Sequence, residues 1–222
     1  MKFFIIIFII FSCFLVGYSQ NTEDKIVYDG YRYTLKTAPF APLIGPIFIT
    51  AEYRFIYEPV LSDNQTFQIG VSLLGKNFIL KNMEETDSAM KANNFHFYVT
   101  GYRIQLWYKY FIDLGYGHDK APEGFYIGPL FSYSNARFTT KYLNSRDDYI
   151  AATYINYNII AGYQVILRNR ICFDSYIGFG YKDNEWHEYF NRTKSPINED
   201  EYVLIPGNLK LVFGINVGYS FK

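Results

Sequence analysis

The chain has 222 residues, and its 21 Lys and Arg balance 21 Asp and Glu. That balance excludes the basic field nucleic acid requires and any acidic tail, and the length suits a single domain. The outlier is aromatic content: 23 Tyr and 21 Phe against 2 Trp would crowd one soluble core, whereas a bilayer accepts aromatics on the outside of a barrel and in belts at both interfaces.

Lys2 precedes an apolar run from Phe3 to Phe11 that continues in broken form to Val16, followed by Gly17-Tyr18-Ser19. A short positive segment, an apolar stretch too short to span and small residues two apart predict a secretory signal peptide over residues 1–19 and a mature domain over 20–222. Ile10-Phe11-Ser12-Cys13 offers the alternative of lipoprotein processing. With the leader removed, Cys172 is the single cysteine, which rules out an intramolecular disulfide. No later apolar stretch reaches membrane-helix length. A spanning protein without helices is a closed barrel, because hydrocarbon leaves no other way to satisfy backbone hydrogen bonds.

From there the period is two. Residues 31–41 form the weakest candidate strand, interrupted nearby by Pro39, Pro42 and Pro46. In residues 46–57, Ile47, Ile49, Ala51, Tyr53 and Phe55 oppose Thr50, Glu52 and Arg54. Phe67, Ile69, Val71 and Leu73 oppose Gln68, Gly70 and Ser72; Tyr98, Tyr102, Ile104, Leu106 and Tyr108 oppose Gly101, Arg103, Gln105 and Lys109. Phe125, Ile127, Phe131 and Tyr133 oppose Gly128, Ser132 and Ser134, with Pro129 expected to mark a bulge or bend. Ile155, Tyr157, Ile159, Tyr163 and Val165 oppose Asn156, Asn158, Gly162 and Gln164; Ile171, Phe173, Ile177, Phe179 and Tyr181 oppose Asp174, Gly178 and Gly180. The last segment is the clearest: Leu209, Leu211, Phe213, Ile215, Val217, Tyr219 and Phe221 oppose Lys210, Val212, Gly214, Asn216, Gly218 and Ser220. Such alternation means one greasy face and one small or polar face.

Connections at 58–64, 114–123 and 168–170 are shorter than those at 81–93, 139–151 and 183–207. The alternation predicts an all-β fold: an eight-stranded antiparallel up-and-down transmembrane β-barrel with short periplasmic turns, longer external loops and both ends in the periplasm.

Lys36-Thr37-Ala38-Pro39 leading to Gly45 and Glu52-Tyr53, residues 121–129 (APEGFYIGP), Ala161-Gly162-Tyr163-Gln164, Gly178-Phe179-Gly180-Tyr181 and the Gly218-Tyr219-Ser220-Phe221 ending together resemble the uncharacterised outer-membrane β-barrel proteins common in Bacteroidetes-type bacteria, related in form to OmpA-like barrels. The resemblance covers most of the mature chain through the order and spacing of its motifs. It implies an outer-membrane location and the barrel fold, and supplies no catalytic residues. One departure is Lys222 after Phe221, where barrel assembly usually recognises a terminal aromatic.

The face assignment sends Glu52, Arg54, Arg103, Gln105, Lys109, Asn156, Asn158, Gln164, Asp174 and Asn216 to the lumen. Unpaired buried charges cost several kcal/mol, so a network is expected in which Glu52 and Asp174 accept from Arg54, Arg103 or Lys109. Such groups fill an eight-stranded interior; a gated pore or small-ligand site is the alternative. In the 183–207 loop, Trp186, His187, Tyr189, Phe190 and Tyr202 are candidates to contact an external partner or glycan, or to pack the loop onto the rim. His96, His118 and His187 stand beside no recognisable nucleophile, and no spacing matches a metal site. The expectation is a non-enzymatic monomer without cofactor or metal, whose partners are outer-membrane lipid and the barrel-assembly machinery during insertion. A membrane-embedded lipid or peptide hydrolase and a soluble lipocalin-like barrel are the rival readings.

Overall fold

The computed structural model describes residues 30–43, 45–46, 50–88, 96–113, 120–140, 148–167, 170–190, 193–197 and 207–222. Residues 1–29 with Cys13, the strand positions Ile47 and Ile49, His118 and Tyr202 lie outside the described residues. The chain divides into Met1–Gly30 and Tyr31–Lys222, and the strands and helix all belong to the second unit.

The strands are β1 Tyr33–Thr37, β2 Thr50–Ser62, β3 Gln65–Lys76, β4 Phe97–Ile112, β5 Gly124–Thr140, β6 Tyr149–Ile166, β7 Ile171–Phe190, β8 Thr193–Ile197 and β9 Leu209–Phe221, with one helix, α1 Phe78–Thr86, between β3 and β4. Each of β1 to β7 pairs antiparallel with the next, β7 pairs with β9, and β9 with β1. Eight strands therefore close a ring, while β8 pairs with Trp186–Phe190 at the far end of β7.

The registers fix the stagger. A circuit through paired residues from Leu35 passes Tyr57, Ile69, Leu106, Phe131, Tyr157 and Tyr181 and arrives on β9 at Leu209, whereas Leu35 itself pairs with Tyr219. The two β9 positions are ten residues apart, the shear of a barrel whose strands tilt about 40° from its axis.

One end carries the tight β2–β3 turn. Asp63 and Asn64 alone separate β2 from β3, and their carbonyls accept from Ala121 and Phe111 N–H, each at 2.7 Å. Arg170 takes a left-handed φ of 66° in the β6–β7 turn. The opposite end carries α1 and the β7–β8 hairpin.

Several sequence expectations change here. Residues 58–64 are not a loop, since β2 runs through Glu58 to Ser62 and shifts register only between Val60 and Ser62. The first strand is five residues long, and β2 is described over Thr50–Ser62. Residues 139–151 shrink to a connection after Thr140 and before Tyr149. The 81–93 connection holds the end of α1, whose first turn is capped by Asn77 Oδ1 accepting from Leu80 N–H at 2.8 Å. The 183–207 loop is largely strand: β7 continues to Phe190 because its ladder with β6 persists to Tyr149↔Tyr189. Pro129 makes no bulge. Trp107↔Leu130 and Tyr110↔Ile127 keep one register on either side of it, so the missing N–H only interrupts the ladder. There β4 and β5 approach closely, and a Cβ on Gly128 would run into the Tyr108 carbonyl. Ala51, expected to face outward, is buried beside the turn whose Ala41 carbonyl accepts from Glu52 N–H.

The two faces are otherwise as the alternation predicts, and they invert a soluble protein. Lys109 and Glu58 are 0% exposed, whereas Phe213 is 81% and Ile177 69% exposed. Outward aliphatics such as Val71, Ile104, Ile159, Ile177 and Ile215 occupy the middle of the wall. Exposed Tyr110, Tyr163 and Tyr219 lie toward the tight-turn end, and Tyr53, Tyr102 and Tyr181 toward the other.

Candidate functional site

Among the described residues, chemistry-bearing side chains converge in the lumen, and the barrel stagger stacks them in layers. Nearest the tight turns is an apolar floor of Phe111, Ala121 and part-buried Val60, continuous with Trp107, Leu130 and Ile160. Within it sits a charged cluster whose four ionised groups come from four strands, β1, β2, β4 and β7. Asp174 Oδ2 accepts from Lys36 Nζ and Lys109 Nζ, each at 2.8 Å, and from Asn216 Nδ2 at 3.2 Å. Tyr126 Oη donates to Asp174 Oδ1 at 2.5 Å.

Glu58 pairs with Lys36 and, at 3.4 Å, with Lys109, while accepting from Thr66 Oγ1 at 2.6 Å. Gln164 Oε1 accepts from both ammonium groups, at 2.7 and 3.0 Å. Lys109 Nζ also lies 4.6 Å from the Trp107 ring centroid and 4.3 Å from that of Tyr126, cation–π contacts worth most where water is excluded. Two ammonium groups face two carboxylates, so the sealed cluster is neutral.

Higher in the lumen Glu52 receives two guanidinium groups. Arg54 donates to both carboxylate oxygens, at 2.7 and 2.8 Å, and Arg103 Nη1 donates to Oε2 at 3.0 Å. Ser72 Oγ donates at 2.7 Å, Arg103 reaches Ser132 at 3.2 Å, and Arg54 reaches Tyr176 Oη at 3.3 Å. Bidentate guanidinium pairing is the strongest geometry available to a carboxylate. This layer carries one more positive than negative group.

Above it lies a second apolar layer: Leu74, Val99, Ala136, Phe138, Ala152 and Tyr154 from the wall, with Leu80 of α1 packed among them. Glu84 holds α1 in place. Its carboxylate accepts from Lys76 Nζ and Phe97 N–H, each at 2.7 Å, and lies 3.4 Å from His96 Nδ1. Burial pushes this carboxyl up, but the hydrogen bonds from Lys76, Phe97 and His96 outweigh it and hold Glu84 below the usual carboxylate range.

Of the residues singled out from sequence, Glu52, Arg54 and Arg103 come together in the upper layer, and Lys109 and Asp174 in the lower. Lys36 and Glu58 are the two charged members that sequence reasoning missed. Both continue a lumen parity already in view: Glu58 follows Glu52 and Arg54 by two further alternations, and Lys36 is the inward partner of Leu35.

The described loop candidates, Trp186, His187, Tyr189 and Phe190, take different surroundings. Trp186 turns inward, stacked on Phe138 at 5.8 Å and donating to Tyr154 Oη at 3.0 Å. Tyr189 stacks on Tyr149 at 4.5 Å, Arg137 covers the Tyr149 ring at 3.6 Å, and Lys194 sits 6.0 Å from the Tyr189 ring. The ring faces of that ladder are occupied within the chain. His187 stands opposite Ala151 and Pro196, and Phe190 is half-exposed at the hairpin tip. Among the described residues no three His, Cys, Asp or Glu side chains are placed to hold a metal.

No family model and no curated protein matches this chain. Among solved structures it is similar to the crystal structure of a major outer membrane protein from Thermus thermophilus, at 14% identity and a TM-score of 0.47, over 85% of this chain and 98% of that one.

Proposed function

We propose that the chain is a non-enzymatic outer-membrane β-barrel, exported by the cleavable leader at residues 1–19, with a structural or loop-mediated interaction role in the cell envelope. The observation that carries this reading is the inversion of burial, with sealed charges inside and large apolar side chains outside. Only a hydrocarbon surround rewards that arrangement, because an apolar wall this size in water is an aggregation surface. Membrane lipid is then the direct partner of the wall, and the barrel-assembly machinery inserts it. The motif resemblance to the Bacteroidetes-type barrels points to the same place.

The layered lumen favours filling over conduction. A charged layer between two apolar layers, with α1 packed into the upper one, leaves the eight-stranded interior to its own side chains. Among the described residues, the β7–β8 hairpin, standing beyond the upper tyrosines, is available to an external partner.

Membrane flotation after alkaline washing, combined with gel migration before and after boiling, tests the placement. The expected result is a membrane-bound, heat-modifiable band. A chain recovered in the soluble fraction would sink the reading in favour of a soluble barrel, and steady single-channel currents in planar bilayers would move it to a pore.

A further inference from the structure

Between β1 and β9 the ring is closed by only a short ladder, from Tyr33↔Phe221 to Thr37↔Val217. Backbone groups of an antiparallel strand alternate sides. On β9 the even-numbered residues face β7: Asn208 O accepts from Lys182 N–H, and Ser220 N–H donates to Arg170 O. The odd-numbered ones face β1, as Phe221 O shows by accepting from Arg32 N–H. Val217, Tyr219 and Phe221 find β1 there. Leu209, Leu211, Phe213 and Ile215 point the same way and have no backbone partner on that side among the described residues.

Pro39 and Pro42 give the reason. Neither can donate, so the chain past Thr37 curls through Ala41 N–H to Ala38 O at 3.2 Å and Leu43 N–H to Phe40 O at 3.1 Å. It leans on β2 instead, where Ala41 O accepts from Glu52 N–H at 2.9 Å. A second observation agrees. Lumen-facing Val212 and Gly214 beside this gap are only half-buried, whereas Ser132, Ser134 and Asn156 across the barrel are sealed. The wall is notched.

If the wall spans a membrane, as proposed above, the notch opens into hydrocarbon, where unmet N–H and C=O groups are costly. A second copy cannot cover it by sheet pairing. Two copies inserted the same way are related by an axis along the membrane normal, so their tilted β9 strands cross instead of running antiparallel.

We propose that the notch is a lateral lipid site: one acyl chain of a glycerophospholipid lodges between β9 and the 38–43 turn. Its rims are Phe40, Leu43, Leu211 and Phe213, all exposed and apolar. The ester carbonyl accepts from Leu209 or Leu211 N–H, at the height where Leu209 pairs with Tyr181 of the upper tyrosines.

The test is amide NMR of the full chain in phosphatidylcholine nanodiscs containing a trace of phosphatidylcholine nitroxide-labelled on its acyl chain. Leu211 and Phe213 amides are expected to broaden more than Val71 and Ile104 amides on the opposite wall. In a P39V/P42V variant, which restores the donors that extend β1, that excess disappears. Equal broadening around the wild-type wall means ordinary surrounding lipid only and overturns the site, whether or not the variant folds. Absence of broadening at every amide marks failure of the membrane placement itself.

Discussion

The two charged layers of the lumen solve one problem by different means. The lower cluster sets two lysines against Asp174 and Glu58, with all four side chains wholly sealed. The upper one sets two arginines on the single carboxylate of Glu52, whose partners Arg54 and Arg103 keep 8% and 7% of their side-chain surface. A point-charge ammonium buried without water needs several acceptors from several strands, and Lys36 and Lys109 obtain them from β2, β6 and β7. A planar guanidinium meets most of its need from one carboxylate. Neutrality is therefore enforced where water is shut out and relaxed nearer the mouth.

Removing Asp174 is the hardest strain on that contrast. Asp174→Ala leaves two ammonium groups facing one carboxylate and is expected to destabilise the barrel by about 3–5 kcal/mol, read as a lower urea midpoint of unfolding in lipid vesicles. Glu52→Ala frees two guanidinium groups that retain some access to water, and about 2–3 kcal/mol is expected in the same measurement. Equal losses at the two sites would dissolve the distinction between the layers. Tyr126→Phe deletes one charge-assisted hydrogen bond and keeps the ring over Lys109, so about 1–2 kcal/mol is expected.

The smallest effect lies outside both layers and serves as a control on them. Glu84 titrates below its ordinary value in the folded chain, so its contribution is present above the unfolded carboxylate range and is lost as pH falls through the folded pKa. Hydrogen-exchange protection of the α1 amides, corrected for the intrinsic rate at each pH, should fall on acidification below the ordinary carboxylate range, while β4 and β7 amides stay protected, and Glu84→Gln should flatten the dependence. Uniform loss of protection would tie the helix to the charge layers instead.

These contrasts show how much was readable in advance. The inward residues of the central strands follow from alternation alone, because successive side chains of a strand point to opposite faces whatever the partner strand is. Glu52, Arg54, Arg103, Lys109 and Asp174 all fall on the inward face by that rule. Their division between two layers was not legible, since it depends on the ten-residue stagger that a ring of long-range pairings creates. Nor were the strand ends. Glu58 and Trp186 sit in polar stretches that read as loops, and only pairing with β1, β3 and β6 makes them strand.

By itself, then, the sequence determined the two-faced strands, their antiparallel order and the apolar exterior, all consequences of a local period of two. The tertiary structure alone decided which charges meet, as with Lys36 and Asp174, 138 residues apart. It also decided that α1 packs into the mouth, that β7 outgrows the ring to carry β8, and that, among the described residues, the β1-facing edge of β9 is met only from Val217 onward. Each is settled by where a distant strand lies, and periodicity carries no record of that.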